Sequence, residues 1–252
     1  MKIYPFLILL IFFIVSCASS CDKEKVPVDE PKEAFRDDFN GTTVDESLWT
    51  VATWNEHGGQ TGRERVYVKD GYLHIIFKND NGTFLSSALQ SKNEFLYGRW
   101  EARLKPSFVP GVLNSFYTID WNDVGSGDGT KQEIDIEFLT QSFGKDKGEV
   151  HFAVHAEGLK SFNTNPDIVL DFNPSDDFHV WGFDVKPDKI EWFVDGKVLH
   201  TYYYTDHEVK ITDPYQLKLN CWSQNGQWIQ GPQPSGVECV YLIDWIRFIP
   251  YE

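Results

Sequence analysis

The segment Gln132–Leu139 reads QEIDIEFL, in which acidic and apolar residues alternate without interruption. Successive side chains of a β-strand point to opposite faces of the sheet, so this alternation predicts a strand with one acidic and one apolar face. The acidic face carries Glu133, Asp135 and Glu137, and the residues that alternate with them are isoleucine or phenylalanine. The apolar face predicts that the strand is central and covers a core, so the acidic face must open into a solvated cleft.

Short runs of alternating polarity continue from Phe35 onward, separated by Asn-Gly and Asp-Gly dipeptides, which favour the positive φ angles of tight hairpins. The dipeptides are Asn40-Gly41, Asp70-Gly71, Asn81-Gly82 and Asp195-Gly196. The clearest runs are Tyr72–Phe77, Tyr97–Leu104, Val150–His155, Lys189–Val194 and Leu217–Trp222. Many short strands without a sustained helical period or an internal repeat predict an all-β antiparallel sandwich or barrel.

Composition narrows the class of partner. The chain has 252 residues, 41% of them hydrophobic, which is enough to bury a substantial core in one main domain. Its 38 acidic and 23 basic residues give a formal net charge of -15. Such a charge repels phosphate backbones, so nucleic acid is not expected as a partner.

The N-terminus predicts export. Lys2 precedes the apolar run Phe6–Val15, which is too short to span a bilayer as a stable helix. The tetrapeptide Ile-Val-Ser-Cys that ends at Cys17 resembles the bacterial lipobox, in which a cysteine receives a lipid after cleavage. We expect an exported, membrane-anchored lipoprotein on the outer membrane or cell surface, with a plain signal peptide as the alternative.

The segment after Cys17 predicts a tether. Residues Asp22–Ala34 are charged, contain two prolines and lack aromatic side chains, a composition that cannot form a core. The expected organisation is therefore a signal peptide at 1–16, a lipidated cysteine and tether at 17–34, and a catalytic domain at 35–252.

Two cysteines, Cys221 and Cys239, lie in the predicted domain. In an exported protein they could form a disulfide, and two separate buried thiols are the alternative. The sequence has no Cys-x-x-Cys pair or histidine-rich cluster, so a zinc site is not expected.

The carboxylate row itself is electrostatically costly. Ionising a second or third carboxyl beside one that is already charged raises at least one pKa. A solvated acidic strand and a Ca²⁺ site are alternatives for an isolated E-x-D-x-E pattern. The apolar opposite face argues against both, because it makes the strand central rather than an edge.

The motif at Glu133–Leu139 resembles the signature of glycoside hydrolase family 16, in the form without an inserted bulge residue. Other segments resemble further parts of that family in the same order along the chain. They are Phe35–Gly41 in the opening strand, Tyr97–Arg103 before the cleft, Trp192–Gly196 in a hairpin and Asp244–Arg247 in the closing strand. The resemblance covers roughly 35–250.

This resemblance implies a jelly roll of two curved antiparallel sheets with the substrate cleft on the concave face. It implies that Glu133 is the nucleophile, Glu137 the general acid and base, and Asp135 the residue that separates their protonation states. A retaining glycosidase needs one ionised and one protonated carboxyl about 5 to 5.5 Å apart. Residues four apart on a flat strand are roughly 13 Å apart, so both side chains would have to lean inward.

Strand alternation extends the predicted cleft. His151 and His155 share one face of their strand and are expected to contact sugar, with solvated or core histidines as the alternative. Asn220 and Trp222 resemble the N-x-W strand of the family. An indole ring can cover the apolar face of a pyranose and an amide can bond its hydroxyls, so Trp222 is predicted to be a stacking platform.

Some positions leave the identity of the glycan substrate undetermined. Trp121 is a candidate for substrate contact, and for both Trp121 and Trp228 ordinary packing is an equal alternative. Lys131 stands where lichenases carry tryptophan, and Gln90 where lichenases and laminarinases carry arginine. Both differences touch subsites near the scissile bond, so galactan or host-type chains stay open beside β-1,3/1,4-glucans.

Many family members bind a structural Ca²⁺ away from the cleft, through main-chain oxygens and one carboxylate. The matching positions are Asp38, Gly71 and Asp244, with simple turn and strand-end residues as the alternative. No organic cofactor is expected.

The sequence thus predicts an endo-acting retaining β-glycan hydrolase, expected to be a monomer, whose partner is a polysaccharide or oligosaccharide. A transglycosylase would use the same residues with a sugar acceptor in place of water. A non-catalytic glycan-binding lipoprotein is a third reading, but such proteins usually lose a catalytic carboxylate, and all three are present here.

Overall fold

The segments of alternating polarity form β-strands in the computed structural model. The model describes residues 32–120, 132–156, 166–207, 210–231 and 235–251. The strands are β1 (Phe35–Asp37), β2 (Trp49–Val51), β3 (Gln60–Thr61), β4 (Val66–Lys69), β5 (Tyr72–Asp80), β6 (Thr83–Phe95), β7 (Gly98–Lys105), β8 (Leu113–Ile119), β9 (Gln132–Leu139), β10 (Gly148–Ala156), β11 (Asp167–Leu170), β12 (His179–Val185), β13 (Lys189–Val194), β14 (Lys197–Tyr203), β15 (Tyr215–Trp222) and β16 (Glu238–Pro250). Within the described ranges, three 3₁₀-helices are present at Arg63–Arg65, Thr140–Ser142 and Tyr204–Asp206. All five runs picked out in the sequence coincide with strands. The described residues contain no helix of a length and hydropathy that could cross a membrane.

Hairpin turns form at three of the four predicted dipeptides. Asp70, Asn81 and Asp195 and the glycines after them all have positive φ, as tight hairpins require. The prediction for Asn40-Gly41 is wrong. There the residue with positive φ is Phe39 (φ 49), whose N–H donates to Asp37 Oδ1 at 2.9 Å. The aspartate side chain therefore shapes this loop, and it directs the phenylalanine ring into the core.

The strands form two sheets. The site sheet has the order β11-β10-β9-β8-β15-β6, with β2 also paired to β6. The back sheet has the order β5-β16-β7-β12-β13-β14, with β1 paired to β16 and β4 to β5. The thirteen-residue β6 connects them, because its N-terminal part pairs with β5 and its C-terminal part with β15. Among the described pairings, all are antiparallel except that between β3 and β6.

The core lies between the two sheets and determines which way β9 faces. Phe138 of β9 packs edge-on against Trp181 of β12, with ring centroids 4.9 Å apart. Phe152 of β10 stacks on Trp192 of β13 at 5.5 Å. Full burial of such a ring stabilises the fold by about 1.5–3 kcal/mol. Because the apolar face of β9 is held inside in this way, its carboxylates are directed to the outer face of the site sheet.

The two cysteines of the domain are buried thiols on different sheets and are not joined by a disulfide. Asn114 Nδ2 donates to Cys221 Sγ at 3.0 Å, and burial raises the pKa of the Cys221 thiol. The structure therefore agrees with the second of the two sequence alternatives, a pair of separate thiols.

Candidate active site

The three carboxylates lie side by side with a polar strand on either side. In the pairing of β9 with β10, His155 lies opposite Glu133, and His151 lies opposite Glu137. In the pairing with β8, Tyr117 lies opposite Asp135. Directly paired residues project to the same face, so these six strand positions form one surface.

Glu137 has the electrostatic character of an acid. Burial raises its pKa well above the usual value, and the charges of Asp135, Glu133 and Asp167 raise it further. Each of these effects penalises the ionised form, so Glu137 holds its proton at pH values where an ordinary carboxyl has lost it. A protonated carboxyl beside other carboxylates is the arrangement that general-acid catalysis requires.

Asp135 is held from two sides. The residue is 4% exposed, and its Oδ2 lies 3.2 Å from Nε2 of His155. Its main-chain oxygen accepts a hydrogen bond from Trp192 Nε1 across the core at 3.0 Å. The main chain of Asp135 is therefore held by the back sheet, and its carboxylate is held by β10.

His151 belongs to a second pair at the Glu137 end of the row. Its Nδ1 lies 2.6 Å from Oδ1 of Asp167, and its ring meets the edge of Trp228 with centroids 5.9 Å apart. Trp228 is 41% exposed, and its main-chain oxygen accepts from Gln141 Nε2 at 2.8 Å. Trp228 thus borders the carboxylate row, whereas from the sequence ordinary packing was an equal alternative for this residue.

The predicted N-x-W residues also lie on the outer face of the site sheet. Asn220 lies opposite Ser115, which in turn lies opposite Glu137. Trp222 is only 3% exposed, and the ring of His57 stacks on it with centroids 3.8 Å apart and planes 12° apart. The indole ring is therefore at the predicted place, but a histidine covers it.

The loop between β2 and β3 supplies site residues that the sequence analysis did not identify. Glu56 is 5% exposed, and its carboxylate accepts from Asn220 Nδ2 at 2.9 Å and from Tyr117 OH at 3.3 Å. The available signal was an acidic residue just before Gly58-Gly59 in a loop with aromatic neighbours. That signal does not show which strand the loop contacts.

Two further positions bear on specificity. Lys218, 1% exposed, has its Nζ 4.8 Å from the ring centroid of Trp54 and 5.6 Å from that of Tyr117. Gln90 lies opposite Lys218 on β6 and donates through Nε2 to Gln216 Oε1. A buried ammonium group therefore lies in the floor of the site, separated from the catalytic row by strand β8.

The predicted signal peptide at 1–16 lies outside the described residues, and so do three candidate site or specificity residues. They are the candidate lipid site Cys17, the candidate contact Trp121 and the variant position Lys131.

The two aspartates proposed as calcium ligands are each paired with an arginine. Asp38 accepts from Arg36 Nη2 at 2.7 Å, and Asp244 accepts from Arg103 Nη1 at 2.5 Å. Gly71 lies in the β4–β5 turn. Within the described part of the chain, no group of three or more His, Cys, Asp or Glu side chains is arranged to hold a metal ion. The calcium site stays a prediction.

The chain resembles known proteins over most of its length. The sequence model described as "Glycosyl hydrolases family 16" matches residues 53–247. A beta-glucanase of Bacillus subtilis (strain 168) is 33% identical over 163 residues, which are 63% of this chain and 61% of that protein. This chain therefore spans less than two thirds of that relative. A beta-glucanase of Paenibacillus polymyxa is 31% identical over 219 residues, covering 80% of this chain and 84% of that protein.

Solved structures show the same fold. The Bacillus licheniformis beta-glucanase superposes with a TM-score of 0.75 at 24% identity, covering 88% of this chain and 100% of that chain. A lichenase from a mouse hindgut metagenome gives 0.73 at 26% identity, covering 86% of this chain and 99% of that chain. These likenesses confirm the predicted jelly-roll sandwich, and the family match indicates the predicted enzyme class, an O-glycosyl hydrolase. The family match also supports the expectation that no organic cofactor is needed. The chain belongs to glycosyl hydrolases family 16.

Proposed function

We propose that this protein is an endo-acting β-glucan hydrolase that cleaves internal β-glycosidic bonds with retention of configuration. The name beta-glucanase, carried by the relatives from Bacillus subtilis and Paenibacillus polymyxa, supports the choice of β-glucan over galactan or host-type chains. The carboxylate row supports the reaction type.

One observation carries this proposal: Glu137 has a strongly raised pKa beside two further carboxyl groups on the same strand face. Retaining hydrolysis needs a carboxyl that gives up a proton and a carboxylate that attacks carbon. The row supplies both kinds of group. Glu137 is the acid, and Glu133, at the other end of the row, is the nucleophile.

The reaction has two displacements. Glu133 forms a bond to the anomeric carbon while the bond from that carbon to the leaving oxygen breaks, and Glu137 gives its proton to this oxygen. Water then attacks the same carbon, Glu137 takes the proton from the water, and Glu133 leaves. Each displacement inverts the configuration, so the net result is retention.

Asp135 acts between these groups. Its charge is the largest contribution of a neighbouring charge to the raised pKa of Glu137, and its contact with His155 keeps its side chain in position. In this proposal Asp135 holds the proton on Glu137 until the leaving oxygen needs it. His155 is a positioning residue, because it acts through Asp135.

The substrate is tested with a panel of polysaccharides. Mixed-linkage β-glucan, laminarin and a β-1,4-galactan are incubated with the soluble domain, and the products are sized by mass spectrometry over time. Internal cleavage of a β-glucan into short oligosaccharides is expected. Cleavage of the galactan alone, or products longer than the starting chains, would contradict a β-glucan hydrolase, and the longer products would indicate a transglycosylase.

We also propose, from the sequence alone, that Cys17 carries a lipid and anchors the domain to a bacterial membrane surface. The lipobox-like tetrapeptide and the charged Asp22–Ala34 segment support this placement. A tethered enzyme of this kind would release oligosaccharides close to the cell.

A further inference from the structure

The loop between β2 and β3 ends in a tight turn that fixes Glu56. Glu56 N–H donates to Gly59 O at 3.1 Å, and Gly59 N–H donates to Glu56 O at 2.8 Å. The two residues between them, His57 (φ 46) and Gly58 (φ 79), both have positive φ. Two such residues in succession define a type I′ turn, so the backbone at Glu56 is well constrained.

The Glu56 carboxylate gathers three hydrogen-bond donors from different parts of the chain. Trp54 Nε1 donates to Oε2 at 2.8 Å. Asn220 Nδ2 and Tyr117 OH donate to Oε1 at 2.9 Å and 3.3 Å. Lys218 Nζ lies against the rings of Trp54 and Tyr117, so the ammonium group and the Glu56 carboxylate share these two aromatic neighbours.

This arrangement determines which atoms of its neighbours remain for a ligand. A carboxylate only accepts hydrogen bonds, so Asn220 must turn its NH₂ group toward Glu56, and its carbonyl oxygen must face elsewhere. Asn220 Oδ1 is buried and has no hydrogen-bond partner among the described residues. Trp222 Nε1, two residues along the same strand face, is buried and likewise lacks one within that part of the chain.

Two hydroxyls of a sugar can satisfy these two atoms. One can donate to Asn220 Oδ1, and another can accept from Trp222 Nε1. Buried polar groups of this kind normally have hydrogen-bond partners. The site is close to the reaction centre, because Tyr117 contacts Glu56 and the pKa of Tyr117 is raised by burial and by the charges of Glu56, Glu133 and Asp135.

We infer that Glu56 is a specificity-determining positioning residue: it orients Asn220 so that the floor of the cleft accepts a hydrogen bond from one sugar hydroxyl next to the catalytic carboxylates. The inference rests on the proposed β-glucan hydrolase activity and names a determinant of its substrate recognition. The consequence is that the sugar must present a group that donates a hydrogen bond to Asn220 Oδ1. A group that only accepts cannot replace the hydroxyl at this position.

The test uses chromogenic β-glucan oligosaccharides in which single hydroxyls are replaced by fluorine, which cannot donate. The fluorine is placed on sugars other than the one whose anomeric carbon reacts, because on that ring fluorine slows the oxocarbenium-like transition state by induction. For wild type, one position should lower kcat/KM by about tenfold, the scale of a lost hydrogen bond of about 1.4 kcal/mol. In Glu56→Gln the side-chain amide can also donate, so Asn220 is free to turn its NH₂ group into the cleft. The penalty at that one position should then fall below about threefold, even if all rates are lower.

A merely structural role predicts a different result. If Glu56 only supports the loop, Glu56→Gln lowers kcat/KM by the same factor for every substrate, and an unchanged penalty at the sensitive hydroxyl overturns the inference. Glu64→Gln is the matched control, because Glu64 is an exposed carboxylate that pairs with Arg65, and it should keep the wild-type pattern. Should Glu56→Gln not fold, Asn220→Ala decides, since the fluorine penalty must vanish there and its persistence refutes the proposal.

Failure of the proposed function is recognised separately. Wild-type protein that cleaves none of the unmodified β-glucan substrates contradicts the hydrolase proposal. Wild-type protein that cleaves them but has no fluorine-sensitive position contradicts only the inference about Glu56.

Discussion

Nε2 of His155 lies 3.2 Å from Oδ2 of Asp135, so the central carboxylate of the row has a partner on the neighbouring strand. Asp135 is also the neighbour whose charge most raises the pKa of Glu137. The structure therefore links a histidine on β10 to the acid at the end of the row through one intervening carboxylate.

This link predicts a shift in the pH profile of Asp135→Asn. Removing the charge lowers the pKa of Glu137 toward its ordinary value, so Glu137 loses its proton at lower pH. The alkaline limb of kcat/KM should move to lower pH, and the rate should fall by roughly 10²- to 10⁴-fold, the range for impaired general-acid catalysis. Steady-state kinetics across pH measure both. An alkaline limb at the wild-type position would show that Asp135 does not control the proton on Glu137.

The same raised pKa predicts a cost to stability. A carboxyl whose pKa is raised by folding contributes stability that is complete below its unfolded pKa, about 4.3, and is lost as pH rises through the raised value. Glu137→Gln cannot ionise, so its melting temperature should exceed that of wild type at neutral pH, and the difference should shrink below pH about 4.3. Thermal unfolding at several pH values tests this. A difference that does not change with pH would contradict the assigned pKa shift.

The carboxylate strand could be read from the sequence, whereas Glu56 could not. The alternation of Glu133, Asp135 and Glu137 with apolar residues is a local pattern, and a strand translates it directly into two faces. Glu56 reaches Asn220 across 164 residues of sequence through a loop, where no periodicity fixes direction. Its role depends on the site sheet having already formed, because Asn220 and Tyr117 lie on two neighbouring strands of that sheet.

Trp222 illustrates the same limit. Strand alternation placed its ring on the correct face, but the burial of that ring depends on His57, which the turn at Gly58 brings over it. The Asn40-Gly41 error has a related cause, since the bond from Phe39 N–H to the Asp37 side chain overrides the dipeptide preference.

His57→Ala tests whether Trp222 binds sugar. Removing the histidine ring should uncover the indole and change KM for a β-glucan oligosaccharide by about threefold or more. The melting temperature should change little, because His57 is partly exposed.

Trp222→Ala should weaken binding by about 1 to 3 kcal/mol and also destabilise the fold, since it leaves a cavity beside Leu113 and Leu139. Binding is measured calorimetrically on an inactive variant. Unchanged affinity in both variants would mean that the ring only packs.

Cys17→Ala tests the anchor. Without the cysteine no lipid can be attached, so the protein should move from the membrane fraction to the soluble fraction of the producing cells. Metabolic labelling with a fatty acid should mark wild type and not the variant. A variant that stays with membranes without label would show that another segment holds the protein there.

The stereochemical course of the reaction is the most direct test of the roles given to Glu133 and Glu137. Two displacements at one carbon give retention, so proton NMR of fresh products from a β-linked glucan should first show the β-anomer. The two alanine variants should then differ in their response to azide. Glu133→Ala leaves space for a small anion that attacks once, which should give the α-glycosyl azide. Glu137→Ala can still form the sugar ester when the leaving group is good, and azide should release it as the β-glycosyl azide. An initial α-anomer from the wild-type enzyme would mean a single displacement by water, and the carboxylate at Glu133 would then be a base rather than a nucleophile.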